Sequence, residues 1–219
     1  MKKAQFLIVL AAVALPALIS AAQDQPNPDQ VFFQPKLEVL LPDFAAEGLI
    51  LDIGGGGEGI IGQAKGMQAI AIDINKQELT DAPGEPLLKI VMDARDLKFL
   101  DGSFATATAF FTFMYISPAD HAKVLAEIHR VLRPGGRLLV WDAVFPEKAT
   151  DPSQIYVIYT LRITLPGGKA VNTGYGVKLA GREGRGAAEF LEPAKAAGFE
   201  VLQRKDEKGW YFVEMKKID

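Results

Sequence analysis

The most informative stretch of this sequence is LDIGGGGEG, residues 51–59. It ends a short apolar run and precedes a helix-like segment that begins at Ile60. Glycine adopts backbone conformations that other residues avoid, and it lets the main chain approach a ligand closely. A glycine turn between a strand and a helix also directs main-chain N–H groups toward that ligand. The stretch therefore predicts a strand, a ligand-binding turn and a helix in succession.

On either side of this turn, short apolar runs alternate with helical stretches. The runs are LILDI (49–53), QAIAID (68–73), LLKIVMD (87–93), FATATAFFTFMY (104–115) and RLLVWDAV (137–144). This spacing is typical of an α/β fold with a doubly wound, mostly parallel sheet. Two further strand candidates, FEVLQ (199–203) and WYFVEM (210–215), flank a charged turn and predict a terminal antiparallel hairpin.

The clearest helix follows Ser117, which is a suitable N-cap, and Pro118 takes its first position. Its two histidines, His121 and His129, are expected at the surface or at the edge of the domain. The region 145–186 is less regular: it holds one strand-like run, IYVIYTLRITL, and two glycine-rich loops, one of them NTGYG. Arg182 and Arg185 in this region are expected in a solvated loop.

Composition limits the function classes. The chain has 219 residues, 49% of them hydrophobic, which is enough for one α/β domain with appendages. Its 24 basic residues face 27 acidic ones, so we expect no nucleic-acid partner. The absence of cysteine excludes disulfides, cysteine-ligated metals and thiol nucleophiles, and two histidines leave little for a metal site.

The N-terminus has the layout of a secretory signal. Lys2 and Lys3 precede an apolar segment, residues 4–22, that ends in small residues. The segment is about 19 residues long and also reaches the lower limit for a membrane-spanning helix. Residues 1–22 are therefore interpreted as a signal peptide or an N-terminal anchor that attaches the protein to a membrane, with a buried helix as a third reading. Residues 23–46 are expected to form a spacer and an N-terminal extension.

The charges around the glycine turn favour one kind of adenosine ligand. Gly54, Gly56 and Gly59 fit the GxGxxG pattern of dinucleotide sites, and Asp73 ends the next strand, where an acid can hold ribose hydroxyls. Asp52 and Glu58 flank the glycines, however. A like charge about 5 Å from a pyrophosphate costs about 3 kcal/mol at an effective dielectric of about 20. A cationic adenosine compound, S-adenosylmethionine (SAM), fits this acidic turn better.

These residues resemble the class I SAM-dependent methyltransferases, particularly the type 11 methyltransferase domains that act on small molecules. The resemblance implies a Rossmann-like sheet of seven strands over residues 47–219, with 145–186 as an insertion that covers the substrate. It also implies SAM as the cofactor, a small-molecule acceptor and no metal. The cofactor-binding positions that it implies are Asp52, Gly54, Gly55, Gly56, Asp73, Ile74, Asp93, Ala94 and Phe111.

Two residues depart from the family pattern, and the catalytic residues are not identified. Ala105 stands where the family commonly has an acid after the aromatic residue of the fourth-strand motif. The third glycine of the family motif falls at Glu58, with Gly59 one residue later. Methyl transfer needs alignment of the reactants more than it needs a base. If a base is used, the candidates are Tyr115, Asp142 and Tyr175, although packing explains each of them as well.

Two other functions remain open at this stage. The GxGxxG pattern with Asp73 also fits an NAD(P)-dependent oxidoreductase. The export signal conflicts with the cytoplasmic supply of SAM, so a catalytically inactive envelope protein that only binds a ligand is a further alternative.

Overall fold

A computed structural model of the chain describes residues 28–147, 151 and 153–218. They form a seven-stranded and a four-stranded sheet, with four α-helices. The strands are β1 (Val31–Phe33), β2 (Leu37–Leu40), β3 (Ile50–Ile53), β4 (Ala69–Asp73), β5 (Leu88–Val91), β6 (Phe104–Phe110), β7 (Leu132–Ala143), β8 (Tyr156–Thr164), β9 (Ala170–Lys178), β10 (Phe199–Glu207) and β11 (Trp210–Lys217). The helices are α1 (Ile60–Lys65), α2 (Lys76–Asp81), α3 (His121–Val131) and α4 (Ala187–Ala196).

The large sheet has the order β10-β11-β7-β6-β3-β4-β5. Strands β3 to β7 are parallel to one another, and β11 pairs antiparallel with β7 and with β10. The predicted seven-stranded, mostly parallel sheet with an antiparallel C-terminal hairpin is therefore confirmed. The buried β3 and β4 are both interior strands, as expected for continuous apolar runs that are covered on both faces.

The second sheet joins two distant parts of the chain. Strands β1 and β2 pair in parallel with either end of β8, and β9 pairs antiparallel with β8. Residues 31–33 and 37–40, within the expected spacer and extension, are thus sheet strands. The prediction that NTGYG forms a loop was wrong, because these residues lie in β9. An edge strand of this kind is held by backbone hydrogen bonds to one neighbour, so its glycines and polar side chains are tolerated.

Helix α3 differs from the prediction at its start. A 3₁₀ turn, Pro118–Asp120, comes first, and Ser117 makes no capping hydrogen bond with its side chain. His121 was expected at the surface but is buried, with 7% of its surface exposed. Its ring packs edge-on against Phe113, and Nε2 contacts the carbonyl oxygens of Phe113 and Ile116 at 3.2 Å. These contacts explain why a polar ring is accommodated there.

Two cores hold the sheets in place. One lies between the large sheet and the helices α3 and α4. The other lies between the large sheet and the second sheet, and it contains Trp141 of β7 and Tyr159 of β8, both almost fully buried. The Tyr159 hydroxyl donates a hydrogen bond of 3.0 Å to the carbonyl of Val144, just after β7. The second sheet is therefore docked on the face of the large one rather than extending it.

The predicted signal or anchor, residues 1–22, lies outside the described residues. Within the described ranges, every helix is too short or too polar to cross a membrane.

The docking of the second sheet can be tested at Tyr159. Replacing it with phenylalanine removes the hydrogen bond to Val144 and leaves the ring in place. We expect Tyr159→Phe to lower the free energy of unfolding by about 1 kcal/mol, measured by urea denaturation. The matched control is Tyr156→Phe on the same strand, because Tyr156 is half-buried whereas Tyr159 is fully buried, and its effect should stay within about 0.5 kcal/mol. Equal effects of the two substitutions would contradict this account of the docking.

Candidate functional site

The carboxyl ends of the parallel strands open into one large cavity. Its volume is about 940 Å³, within the size range of small-molecule sites. The loops after β3, β4, β5 and β6 line one side, and residues of β1, β8 and β9 line the other. This is the position at which open α/β sheets bind ligands. The second sheet converts the edge of the large sheet into a covered pocket.

The glycine loop leaves no room for side chains. A Cβ at Gly54 would lie 2.4 Å from the side chain of Thr112, and one at Gly55 would lie 2.5 Å from the Asp52 carboxylate. A Cβ at Gly56 would lie 2.8 Å from the carboxylate of Asp73. Gly54 also has a φ of 69°, which favours glycine. The main chain is thus held directly against the two acids on which the site is built.

Asp52 is the more deeply buried of these acids. It is 2% exposed, and Oδ1 accepts a hydrogen bond of 2.8 Å from the hydroxyl of Thr108 on β6. Burial raises the pKa of Asp52 to about 7, the Thr108 hydrogen bond opposes this shift, and the charge of Asp73 adds to it. A cation in the cavity would favour the ionised form of this carboxyl.

Asp73 is half-buried at the end of β4. Oδ1 accepts a hydrogen bond of 2.8 Å from the backbone of Asn75, and the backbones of Gly56 and Ile74 also donate to the carboxylate. Burial raises its pKa above the usual value in spite of these hydrogen bonds. These backbone hydrogen bonds therefore fix the orientation of the Asp73 carboxylate.

The loop after β5 places Asp93 and Ala94 on the cavity wall. The Asp93 carboxylate accepts three hydrogen bonds from the guanidinium of Arg95, the shortest at 2.7 Å, and these lower its pKa. Arg95 also donates to Asp120 at 3.1 Å. The single basic side chain among the described lining residues is therefore already paired with two acids.

Three aromatic side chains connect the loop after β6 with β9. Phe111 follows β6 with a φ of 51°, a left-handed conformation that is uncommon outside glycine. Its ring centroid lies 5.4 Å from that of Tyr175 on β9, and Tyr175 lies edge-on to Tyr115 at 6.5 Å. Burial raises the pKa of both tyrosines above the usual value. We call Phe111, Tyr115 and Tyr175 the aromatic wall.

Glu58 connects the glycine loop to the second sheet. Its carboxylate accepts hydrogen bonds from the hydroxyls of Thr173 and Tyr175 on β9. Its main-chain oxygen accepts from Gln63 Nε2 at 2.6 Å, and Gln63 Oε1 accepts from Lys169 Nζ at 2.7 Å. The sequence singled out Glu58 only as a departure from a pattern, and nothing in the sequence indicated these partners.

The structure brings together every cofactor-binding position that the sequence predicted. Asp52 and Asp73 lie in the last two residues of β3 and β4, six positions follow β3, β4 or β5, and Phe111 follows β6. The positions lining the cavity are Asp52, Gly54, Gly55, Gly56, Asp73, Ile74, Asp93, Ala94 and Phe111. Their contacts with a ligand remain a prediction. Residues that the sequence did not indicate as part of the site include Phe33, Glu78 and Asn172.

Two of the three candidate bases face the cavity, and the third does not. Tyr115 and Tyr175 line it, whereas Asp142 lies in a separate pocket of about 20 Å³. Asp142 accepts hydrogen bonds from the backbones of Met114 and Ala143, and burial raises its pKa to about 7. Arg182 was expected in a solvated loop but is partly buried beside this pocket, where Nε donates to the Met114 carbonyl at 2.9 Å.

The electrostatics of the large cavity are acidic. Six carboxylates line it against the one guanidinium of Arg95, and they are Asp52, Glu58, Asp73, Glu78, Asp93 and Asp120. Among the described residues, no group of three or more acids and histidines is arranged to hold a metal ion. The cavity therefore suits a cationic or neutral ligand with hydroxyl groups better than a diphosphate.

The known sequences that this chain resembles are described as methyltransferases. A family model described as a methyltransferase domain matches residues 51–140. A demethylmenaquinone methyltransferase of Thermus thermophilus is 37% identical over 83 residues, which cover 38% of this chain and 36% of that protein. A ubiquinone/menaquinone biosynthesis C-methyltransferase of Dinoroseobacter shibae is 31% identical over 135 residues, 56% of this chain and 52% of that protein. The chain thus spans about a third to a half of these relatives.

Solved structures share the fold at low sequence identity. A SAM-dependent methyltransferase of Methanosarcina mazei has a TM-score of 0.55 at 17% identity, covering 80% of this chain and 94% of that one. The [4+2]-cyclase SpnF has a TM-score of 0.55 at 19% identity, covering 79% and 76%. A protein of Bordetella parapertussis described as possibly exported has a TM-score of 0.53 at 17% identity, covering 80% and 63%.

The buried Asp52 should make stability depend on pH. Its pKa is about 7 in the folded chain, against an ordinary value of 3.8. Between these two values the folded protein retains the proton that the unfolded chain has lost. The folded state is therefore more stable at low pH, and this stability is lost as the pH rises toward 7. As the pH rises from 5 to 8, we expect the free energy of unfolding, measured with urea, to fall in the wild type by on the order of 2 kcal/mol more than in Asp52→Asn.

Other titrating groups, including Asp142, are the same in both proteins, so their contributions largely cancel in this comparison. Parallel pH profiles for the wild type and Asp52→Asn would show that Asp52 ionises normally in the folded protein.

Proposed function

We propose that the chain carries a class I SAM-dependent methyltransferase domain and that it transfers the methyl group of SAM to a small-molecule acceptor. The observation that carries the proposal is the convergence of the glycine loop, Asp73 and the Asp93–Ala94 segment on one acidic cavity. These residues come from the ends of three different strands, so their meeting in one place is not a consequence of sequence proximity.

The residues of the cavity fit SAM. The glycine loop offers main-chain groups at close approach, because a Cβ at Gly54, Gly55 or Gly56 would collide with its neighbours. Asp73 is oriented to accept hydrogen bonds from ribose hydroxyls, and Ala94 and Phe111 offer apolar surface for the adenine. When bound, SAM supplies a methyl carbon that its positive sulfur activates. The surrounding carboxylates favour that positive charge.

The chain's own contribution to the reaction is alignment and exclusion of water. The second sheet covers the cavity with residues of β8 and β9, so the acceptor is enclosed opposite the glycine loop. Holding two reactants in this way accounts for a large part of the rate in such displacements. Tyr115 and Tyr175 are the candidate proton acceptors that reach the cavity, but their raised pKa values disfavour the phenolate form.

The acceptor belongs, on this proposal, to the small organic molecules. The curated relatives are named for demethylmenaquinone and for ubiquinone and menaquinone biosynthesis. The aromatic wall of the present cavity is compatible with a ring compound of that general type. A second candidate function, binding without methyl transfer, is kept because SpnF, described as a cyclase, has the same fold.

We also propose that residues 1–22 direct the chain to a membrane or across it, as their sequence predicts. The fold of the possibly exported protein from Bordetella parapertussis is compatible with such a location. Fractionation of cells that express the full chain, with and without residues 1–22, tests this. An identical soluble cytoplasmic distribution of both forms would contradict it.

The proposed cofactor site is tested at Asp73. We expect the full chain to bind S-adenosylhomocysteine in isothermal titration, and Asp73→Ala to weaken the binding at least about tenfold through the loss of charge-assisted hydrogen bonds. The control is Asp81→Ala, which removes an exposed carboxylate from the end of α2 and should leave the affinity unchanged. Incubation with radiolabelled SAM and candidate acceptors then separates a methyltransferase from a binding protein.

Three results would count against the proposal. Unchanged affinity in Asp73→Ala would remove Asp73 from the site. Binding of NADH without binding of SAM or S-adenosylhomocysteine would favour the oxidoreductase. Binding of SAM with no transfer to a broad acceptor panel would favour the second candidate function.

A further inference from the structure

Glu58 connects the two sides of the cavity. It belongs to the glycine loop, yet its carboxylate reaches the second sheet and accepts hydrogen bonds from the hydroxyls of Thr173 and Tyr175. The residue is half-buried and lines the cavity. It therefore stands at the boundary between the side of the cavity formed by the large sheet and the side formed by the second sheet.

The carboxylate of Glu58 retains capacity for another partner. A carboxylate has about four acceptor positions, and Thr173 and Tyr175 take two of them. None of the ion pairs between described residues includes Glu58. A carboxylate only accepts hydrogen bonds, so a ligand that completes this set must donate one.

The aromatic wall lies directly beside this carboxylate. Tyr175 donates to Glu58 through its hydroxyl and packs against Phe111 through its ring, with the centroids 5.4 Å apart. The hydroxyl of Tyr115 accepts a hydrogen bond from the backbone of Gly176, which ties the wall to β9. A planar ring that stacks on this wall is thus brought close to an acceptor-only group.

The same surroundings disfavour an anionic ligand. Glu58 and Glu78 both line the cavity, and Arg95 is engaged by Asp93 and Asp120. A carboxylate or phosphate on the ring would meet like charge without a free cation to offset it. At a separation of about 5 Å and an effective dielectric of about 20, this repulsion lowers the affinity by more than about tenfold.

We propose that Glu58 is the specificity-determining residue for the acceptor, and that the acceptor is a planar aromatic compound that bears a neutral hydrogen-bond donor and no anionic group. This inference rests on the proposed function, because it assigns the acceptor half of the same cavity. Glu58 acts by accepting the O–H or N–H of the ring substituent, while Thr173 and Tyr175 hold the carboxylate in position.

The test uses one ring with three substituents. The full chain is saturated with S-adenosylhomocysteine, and binding of 5-hydroxyindole, 5-aminoindole and indole-5-carboxylate is measured by equilibrium dialysis. We expect the hydroxy and amino compounds to bind at least about tenfold more tightly than the carboxylate. The ratio of the two neutral ligands tells whether the donor is an O–H or an N–H group.

Variants assign this selectivity to Glu58. Glu58→Gln keeps the size of the side chain and removes its charge, so we expect the preference over the carboxylate to fall from about tenfold to below about threefold. Glu58→Gly restores the glycine of the family pattern and should have the same effect on selectivity. The control Glu85→Gln removes an exposed carboxylate outside the cavity lining and should leave the preference intact. An unchanged midpoint of thermal unfolding shows that each variant is folded.

The outcomes separate this inference from the proposed function. Failure of the wild type to bind S-adenosylhomocysteine would refute the proposed function itself. Normal binding of that compound with equal affinity for the three indoles, or with a preference that survives in Glu58→Gln, would refute the inference alone. In that case Glu58 serves only to connect the glycine loop to β9 through hydrogen bonds.

Discussion

A carboxylate buried behind a loop without side chains is the feature on which this site depends. Asp52 is almost fully buried, and Gly55 passes so close to it that a Cβ would lie 2.5 Å from its Oδ2 atom. The Thr108 hydroxyl, from the neighbouring strand, satisfies the other oxygen. The acid, the glycines and the strand pairing of β3 with β6 therefore depend on one another, and none of them can change without disturbing the others.

Much of the fold and the side of the cavity around the glycine loop could be predicted, because both follow from local patterns. Buried parallel strands are continuous apolar runs, and residues such as Asp52, Asp73 and Asp93 lie at or just after their carboxyl ends. The order of the strands in the sheet then brings those ends together. Acids at the ends of successive strands therefore predict a common site, even though these residues are distant from one another along the chain.

The side of the cavity formed by the second sheet could not be predicted, because it depends on strand pairing that the sequence does not reveal. Val31 lies beside Tyr156 in the second sheet, and β9 is an edge strand whose glycines resemble those of a loop. Burial of His121 and Arg182 likewise depends on carbonyl oxygens from residues 113–116, which only the folded chain brings near. Each of these features is set by long-range contacts rather than by local residue preference.

The acidity of the cavity links these two sides. Burial raises the pKa of Asp52 and of Asp73, so each carboxyl resists ionisation in the absence of a compensating charge. A cation bound over the glycine loop would favour the ionised forms of Asp52 and Asp73. Glu58, in contrast, faces the second sheet. The position at which the chain departs from the glycine pattern is thus the one that places a negative charge beside the aromatic wall. Donor and acceptor recognition would then share one electrostatic field, with its deeply buried part at Asp52 and its accessible part at Glu58.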